Sequence, residues 1–463
     1  MSVRDQADDT ATLSIIAIAT GLVLAVFTLP LTTLASTSAA IGAGIGGEAW
    51  ILSAMPLGCA VGLLPGGALA DAHGRKRVFN AGLAVMGAAL VASMIANSAP
   101  VLIVLRIVQG LGGAAVMACG LGLIAQAFPQ GPRRARATSI WAIALGTGVA
   151  IGPIIAAFAE RLSDWHAAYV IEGILALALA FAGRAVLKES KANQPRPIDV
   201  GGTVTLGAGM AALLTGLTIL RSSGLSAALV ALFVAAIAFL LAFIWIEHRQ
   251  ERPMLDLSLF RRPDFTGATL GAFFSGCGVL ALMSLTPSML QRLYDVPPVT
   301  GAFYLLAWSA TSAITPFVAN RILASASAQA MMIGGLVVCA IGQLMTGLLA
   351  ADTAMIRILI GMMIAGAANG LLNVALGQQA IASVPHDRSA MGSGANNSAR
   401  YLGSAVGLTI AALLMAGSGG DSWISRSAAW DAAVIATAGL SCLGAFLIFL
   451  LPRSPKSDDR THD

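Results

Sequence analysis

Long apolar runs alternate with short polar stretches along almost the whole of this chain. A helix needs about 20 predominantly apolar residues to cross a bilayer core. Fourteen runs come near that length: 13–36, 49–70, 79–97, 101–127, 137–159, 167–187, 200–220, 225–246, 265–289, 300–319, 329–350, 354–381, 396–416 and 431–451. Runs of this kind predict an all-α membrane protein, because a helix satisfies its own backbone inside lipid. An even number puts both termini on one side. With the termini inside, twenty Lys and Arg fall on inner segments and five on outer loops, while Arg106 and Arg400 lie within spans. Basic residues gather on the cytoplasmic side. Both termini are therefore expected in the cytoplasm, with the chain in the inner (plasma) membrane.

Composition agrees. The 463 residues are 57% hydrophobic and 11% charged, against about 25% charged in soluble domains. The net charge of +5 sits in membrane-flanking loops, so no nucleic-acid partner is expected. The cysteines Cys59, Cys119, Cys277, Cys339 and Cys442 lie in apolar runs without metal or disulfide spacing and read as small packing residues. The first run is too long for a signal h-region and lacks a basic n-region, so it is expected to be retained as a span. No phosphate-cradling loop, metal cluster or nucleophile–base set appears, and the histidines (His73, His166, His248, His386, His462) fall in loops or the tail. ATP drive, enzymatic activity and cofactors are not expected. The expected partners are the lipid bilayer, a small-molecule substrate and protons, with the chain a monomer.

The polar stretch 66–77 reads Gly-Gly-Ala-Leu-Ala-Asp-Ala-His-Gly-Arg-Lys-Arg. Arg75, Lys76 and Arg77 mark the cytoplasmic side. Gly67 and Gly74 allow a tight turn and close helix approach. Asp71 puts an acid at the mouth of a helix near three cations, which an acid at a membrane boundary requires. The loop reads as a latch, with Asp71 expected to face the helix start near Ser389–Gly394. The plainer reading is an ordinary basic loop.

Four further features carry chemistry. In the first run Pro30 is flanked by Thr28, Thr32, Thr33, Ser36 and Ser38, and hydroxyls can satisfy backbone groups that a membrane proline frees. The fourth run holds Arg106 about six positions in, with Gln109 on the same face and Gly110, Gly112, Gly113 and Ala114 after it. A charge there marks function or snorkels to the interface. The fifth run reads Gly146-x-Gly148-x-x-x-Gly152-Pro153, a small-residue packing face followed by a bend. The sixth places Glu172 roughly 8 Å inside the membrane, where desolvation makes it a candidate proton or cation site or leaves it an acid wetted from the interface. Trp165 before it reads as an interface anchor.

Residues 188–199 form a charged, proline-containing linker, and a second basic block lies at 247–264. Ala125-Gln126-Ala127-Phe128-Pro129 is echoed by Ala382-Ser383-Val384-Pro385, with the prolines 256 residues apart. Plain six-helix halves would repeat at roughly 190–200 residues, so the excess fits two extra helices between them. The expected division is 1–190, 191–260 and 261–463.

In this order the motifs resemble those of the major facilitator superfamily of transporters, and within it the fourteen-span drug:proton antiporter family. Gly67-x-Leu69-Ala70-Asp71-x-x-Gly74-Arg75-Lys76 is similar to the signature between the second and third helices, with Ala72 where a basic residue is usual. Arg106 to Ala114 resembles the fourth-helix motif, whose arginine is associated with proton coupling. Gly146 to Pro153 resembles the fifth-helix signature of drug:proton antiporters, with Ala156 and Ala157 where glycines are usual. Trp50, the Arg134/Ala137 loop and Gly392-x-Gly394-x-x-Asn397-x-x-Arg400 are similar too. The resemblance covers about 47–188 and, more weakly, 260–410.

It implies a major facilitator fold, two six-helix bundles plus two additional helices between them, working by alternating access. It implies proton-driven export of small amphipathic or drug-like compounds. Gating would fall to Gly67, Asp71, Gly74, Arg75, Lys76 and Arg134. Proton coupling would fall to Arg106 and Gln109. The family commonly carries an aspartate in the first helix, but no Asp or Glu occurs between Asp9 and Glu48. That shifts the protonatable role to Glu172. Tyr304, Trp308, Asn369, Asn373, Gln378, Asn396, Asn397 and Arg400 would line the second half's cavity, or else form interhelical hydrogen bonds. The alternatives are a transporter or uniporter of another small solute, and a non-transporting membrane sensor. A sensor would be expected to have lost Asp71 or Arg106, and the chain has both.

Overall fold

The computed structural model describes residues 3–128, 131–191, 199–223, 226–250, 253, 255–319, 326–348, 355–384, 389–416 and 422–452. Among them there are helices and no strands. The first half comprises α1 (Val3–Thr28), α2 (Pro30–Ile41), α3 (Ile45–His73), α4 (Arg75–Ala92), α5 (Ala99–Ala127), α6 (Pro132–Leu162) and α7 (Trp165–Val186). Then come α8 (Val200–Ser223) and α9 (Ala227–Arg249). The second half comprises α10 (Pro263–Phe274), α11 (Ala281–Tyr294), α12 (Pro298–Ala319), α13 (Ala328–Met345), α14 (Met355–Ala382), α15 (Ser389–Ala416) and α16 (Trp423–Leu450). The echoed prolines Pro129 and Pro385 lie outside the described residues.

The fourteen runs correspond to twelve single helices and two broken ones. Span one bends where α1 passes to α2, because Pro30 has no N–H to continue the ladder. Span nine joins α10 to α11 through a π-helical turn, Ser275–Leu280. Thirteen of the described spans are long and apolar enough to cross a membrane. The remaining one, α12, is 22 residues long and carries no charged residue. The last two helices begin earlier than their runs predict, at Ser389 and Trp423. Their first residues include Ser389, Ser393, Ser425 and Ser427, which hydropathy alone assigns to loops.

Lipid gives helices no hydrophobic reason to associate, so small residues that admit a neighbouring backbone supply the contact. In α6 a Cβ on Gly148 would strike the Gly21 carbonyl, and one on Gly152 the Ala25 carbonyl. The second half repeats this. A Cβ on Gly403 of α15 would strike the Phe273 carbonyl, and one on Gly407 the Cys277 carbonyl. Gly403 and Gly407 stand 255 residues after Gly148 and Gly152. Within each half a glycine pair does the same between neighbours: Gly82 against Gly112, and Gly342 against Gly361. The two bundles are therefore built on one plan.

The halves meet along α3 with α15 and α6 with α12. Ser53 and Thr409 hydroxyls bond at 2.7 Å, and the Phe27 and Tyr401 rings meet edge-on at 6.2 Å. Away from the basic 66–77 stretch, Ser288 donates to the Leu31 carbonyl (2.7 Å) and Arg292 pairs with Glu48 (3.0 Å). Helix α8 packs on α3, α15 and α9. Helix α9 leaves Val230, Val234, Ile237, Leu241 and Ile244 exposed, the apolar face a lipid-contacting helix presents. At the start of α7 Asp164 caps the helix through the His166 amide at 2.9 Å. The bond from the His166 ring holds its carboxyl below the usual carboxylate range.

Gly148→Val should prevent close approach of α6 to α1, where overpacking costs about 1–3 kcal/mol or more. The expected result is loss of monodisperse protein on size-exclusion chromatography. Gly439→Ala is the control, since a Cβ there meets nothing within 4 Å, and its elution should match the parent.

Candidate functional site

The first half closes around Arg106 of α5, which is fully buried at 0% exposure. Pro30 deprives the Val26 carbonyl of its helical donor, and Arg106 Nη1 donates to that carbonyl at 2.8 Å. Nη2 donates to the Phe27 carbonyl (3.3 Å), Nε to the Ile51 carbonyl (3.4 Å), and Nη1 also to Gln109 Oε1 (3.2 Å). Gln109 passes the network to the end of α4 by donating to Oγ of Ser93, the residue that follows that helix, at 3.1 Å. One side chain thus ties α1, α3 and α5, and the snorkelling alternative does not describe it.

The second proline is served in the same way. Pro153 frees the Val149 carbonyl, and Thr28 Oγ1 donates to it at 3.3 Å. Thr32 donates to the Pro153 carbonyl, also at 3.3 Å. The glycine pair Gly148 and Gly152 brings α6 close enough for both bonds. The sequence pattern predicts hydroxyls serving their own helix's proline, but Arg106 meets the Val26 carbonyl, and Thr28 and Thr32 serve the neighbour's proline.

Glu172 of α7 is fully buried at 0% exposure, not wetted from the interface. Neither carboxyl oxygen has a hydrogen-bond partner among the described residues, and the same is true of the Tyr169 hydroxyl one turn earlier. Both groups feel the Arg106 charge, yet no ion pair of 4 Å or less joins Arg106 to Glu172. Trp165 is 3% exposed and stacks on His166 at 3.7 Å with its edge to Tyr169 at 5.7 Å. It packs against Tyr169 inside the protein instead of anchoring at the lipid surface.

At the basic end, Asp71 lies in the last turn of α3 and pairs with Arg75 at 3.4 Å. That end of a helix is the negative end of its dipole, so the arginine offsets an unfavourable position. The structure adds a partner that the sequence did not single out: Glu189, just after α7. Its carboxylate accepts from the Lys76 amide (3.0 Å), approaches Arg77 (3.6 Å) and lies over Gly74, where a Cβ would collide with it. Gly74 has φ of 110°, which disfavours any side chain. The Arg75 amide donates to the Ser190 carbonyl (2.8 Å), and Gln126 donates to the Glu189 carbonyl (2.9 Å). Arg134 donates to the Phe128 carbonyl at 3.0 Å and to the Ala125 carbonyl, closing the end of α5. A Cβ on Gly67 would meet nothing within 4 Å. An acid followed by a serine in a charged linker carries no sequence signal for such a role.

In the second half Arg400 Nη1 donates to Asn373 Oδ1 (3.2 Å) and Nη2 to Asn397 Oδ1 (2.8 Å). The other sequence-selected residues stand apart from this cluster. Asn369 donates to Ser312 Oγ (3.0 Å) and Asn396 to the Ala268 carbonyl (3.0 Å). The Tyr304 hydroxyl donates to the Met355 carbonyl at 3.3 Å, about 27 Å along α14 from Asn373. Trp308 is 3% exposed, its indole N–H without a partner among the described residues. Gln378 is exposed near the end of α14.

Comparison with known proteins agrees with this architecture. The family model for the Major Facilitator Superfamily matches residues 11–247 and 200–408. The multidrug resistance protein Stp of Mycobacterium tuberculosis is 27% identical over 388 residues, 83% of this chain and 71% of that protein. The probable actinorhodin transporter of Streptomyces coelicolor is 30% identical over 394 residues, 82% and 68% of the two chains. The multidrug efflux pump LfrA of Mycolicibacterium smegmatis is 28% identical over 363 residues, 78% and 71%. The crystal structure of the human organic anion transporter MFSD10 (TETRAN) superposes with a TM-score of 0.62 over 95% of this chain and 99% of that one. At 16% identity that likeness concerns the fold alone. A major facilitator fold with two extra helices between its halves, matched by the family model over most of its length, makes this chain a member of the Major Facilitator Superfamily.

Proposed function

We propose that this chain is a secondary exporter of small amphipathic or drug-like compounds, driven by proton antiport through alternating access. The observation that carries the reading is Glu172: a fully buried carboxyl group without a hydrogen-bond partner among the described residues, in the field of Arg106, inside a span. Ionisable groups in such places mark proton and substrate paths. Relatives named for multidrug resistance and efflux support export as the direction. In this reading Glu172 takes and releases the proton, while Arg106 and Gln109 tie its pocket to the bend in span one. The Asp71–Arg75 pair, Lys76, Arg134 and Glu189, with Gly67 and Gly74, gate the basic end. That end faces the cytoplasm with both termini, in the plasma membrane, and the transporter acts as a monomer. The segments 1–190 and 261–463 rock against each other, with 191–260 riding between them. A uniporter of another solute is the second reading, favoured by the lack of any acid from Thr10 to Gly47.

Three predictions follow from these contacts. Arg106→Met strips the donors from the Val26 and Phe27 carbonyls, and an unsatisfied buried acceptor costs about 1–3 kcal/mol. A fall in Tm of the purified protein is expected; an unchanged Tm removes Arg106 from its structural place. Arg106→Lys should recover some stability but not export in a pH-gradient assay, because a point charge does not replace a planar fork.

Glu189→Ala should free the first turn of α4. Amide exchange at Lys76 and Arg77 is expected to accelerate, with membrane levels unchanged and export reduced, as it should also be in Asp71→Asn. Wild-type export by both variants would refute the latch.

Glu172→Gln should abolish proton-driven export while leaving counterflow of a neutral substrate intact. Substrate-induced proton release from the purified protein, followed across about pH 6–8, is the measurement. If the variant releases as many protons as the parent, coupling lies elsewhere and the uniporter reading gains.

A further inference from the structure

Arg400 is the twelfth residue of α15, about 17 Å from the helix start. Asn373, its partner on α14, lies about 14 Å from that helix's last residue. The guanidinium is therefore deep within the bundle. Yet Arg400, Asn373 and Asn397 are only partly buried. An arginine held in a span faces the bundle interior or a watered cleft. Ser393, Asn397, Arg400 and Ser404, at steps of four, three and four, form one polar face of α15. The Ser404 hydroxyl on that face is fully buried and has no hydrogen-bond partner among the described residues. Next to Asn373 on α14, a Cβ on Gly377 would meet nothing within 4 Å.

The charge of Arg400 is positioned but not neutralised. The acceptors it holds on α14 and α15 are amide oxygens, which are neutral, and a further neighbour is the Tyr401 ring, with the guanidinium 5.7 Å from the ring centre. No carboxylate lies within 4 Å of it among the described residues. Asp9, Glu48, Asp71 and Glu189 are each engaged with a cation elsewhere and Asp164 with the His166 ring, and Glu172 is in the first half. A guanidinium carries five N–H donors in a rigid plane, and two bonds to amides leave donors for a further acceptor. That fork matches a carboxylate or similar delocalised anion.

We propose that Arg400, oriented by Asn373 and Asn397, binds an acidic group of the transported compound, so that this transporter selects amphipathic organic anions. The proposal rests on the export reading above and gives it a substrate class. Its proton site and its substrate site are then separate, on opposite halves. The anion completes the charge balance that the chain's own residues leave open. Asn373 and Asn397 sit on different helices, so they hold the fork at the α14–α15 seam, ready to sense a ligand.

The test uses the full chain in lipid nanodiscs and three probes of one size: 2-naphthylacetate, its methyl ester and 2-naphthylethylamine. Equilibrium dialysis at neutral pH, without a gradient, reads binding. The parent protein is expected to bind the carboxylate at least about tenfold more tightly than either other probe. Arg400→Gln should lose that preference. Asn397→Asp keeps the arginine but hands it an internal counter-ion, and it should lose the preference too. It guards against a result due only to misfolding of Arg400→Gln. Equal binding of the probes by the parent, no carboxylate binding at all, or a preference that both variants retain overturns the proposal. Transport of the carboxylate by proteoliposomes under a pH gradient is measured separately. Preference in binding without gradient-driven transport refutes the exporter reading and leaves the anion site standing. Gradient-driven transport of all three probes, unaffected by Arg400→Gln, does the reverse.

Discussion

Pro30 sets the problem that the first half is built to solve. Inside lipid a carbonyl without a donor is expensive, since no water is at hand to replace it. The proline both bends span one and leaves the Val26 carbonyl bare. Arg106 reaches it from α5, and the glycines after Arg106 let α5 come close enough to deliver the guanidinium. Pro153 sets the same problem in α6, and Thr28 answers it across the Gly148–Gly152 contact. Each break is therefore closed by a neighbour. A membrane helix can be bent at mid-depth only where another helix has been shaped to supply the missing partner, and here two bends and two donors interlock.

The paired solution has a mechanical consequence. The bonds that close the breaks lie within the first half, so the half is tied internally. Contacts between halves are fewer in kind: Ser53 with Thr409, Ser288 with the Leu31 carbonyl, Glu48 with Arg292, and Phe27 against Tyr401. Three of these four are polar and exchangeable with water or a new partner. Rocking one half against the other would break a handful of such contacts and leave the proline network intact. The reciprocal glycine contacts Gly82–Gly112 and Gly342–Gly361 give the second half the same internal stiffness.

Much of the fold was legible in the sequence because membranes impose a length, and the apolar runs recorded it. The fourteen spans and the basic-loop asymmetry follow from hydropathy and charge alone. What hydropathy missed, it missed for a reason. The early starts of α15 and α16 are polar turns that pack on protein, and the π turn in span nine depends on Gly276 and Gly278 meeting α15 and α16, which no local pattern announces. The glycine motif Gly403–Gly407 was readable as the partner of Gly148–Gly152, but only once the 255-residue offset was applied to glycines as well as prolines. At the site, Arg106 and Glu172 stood out because charge in an apolar run is rare. Glu189 did not, because an acid in a polar linker is ordinary until its carboxylate is found above Gly74.

Charge in the membrane interior connects the two halves. Arg106 and Glu172 are both fully buried in the first half, and the guanidinium is fixed by carbonyls, so in the proposed reading Glu172 can change its protonation while Arg106 stays in place. Arg400 in the second half is held by two amides and the Tyr401 ring. The two arginines are joined by a short physical chain: Arg106 bonds the Phe27 carbonyl, the Phe27 ring meets Tyr401, and Tyr401 is the next residue after Arg400, whose guanidinium lies 5.7 Å from its ring. Any shift of the bend in span one displaces Phe27 and so presses on the element that carries Arg400. If Glu172 takes up a proton as proposed, the change has a route to the second half through these packed rings. Coupling of that kind would need the Phe27–Tyr401 contact to differ between two states of the transporter, and in the proposed cycle it would therefore act at the junction of the halves and not at either charge alone.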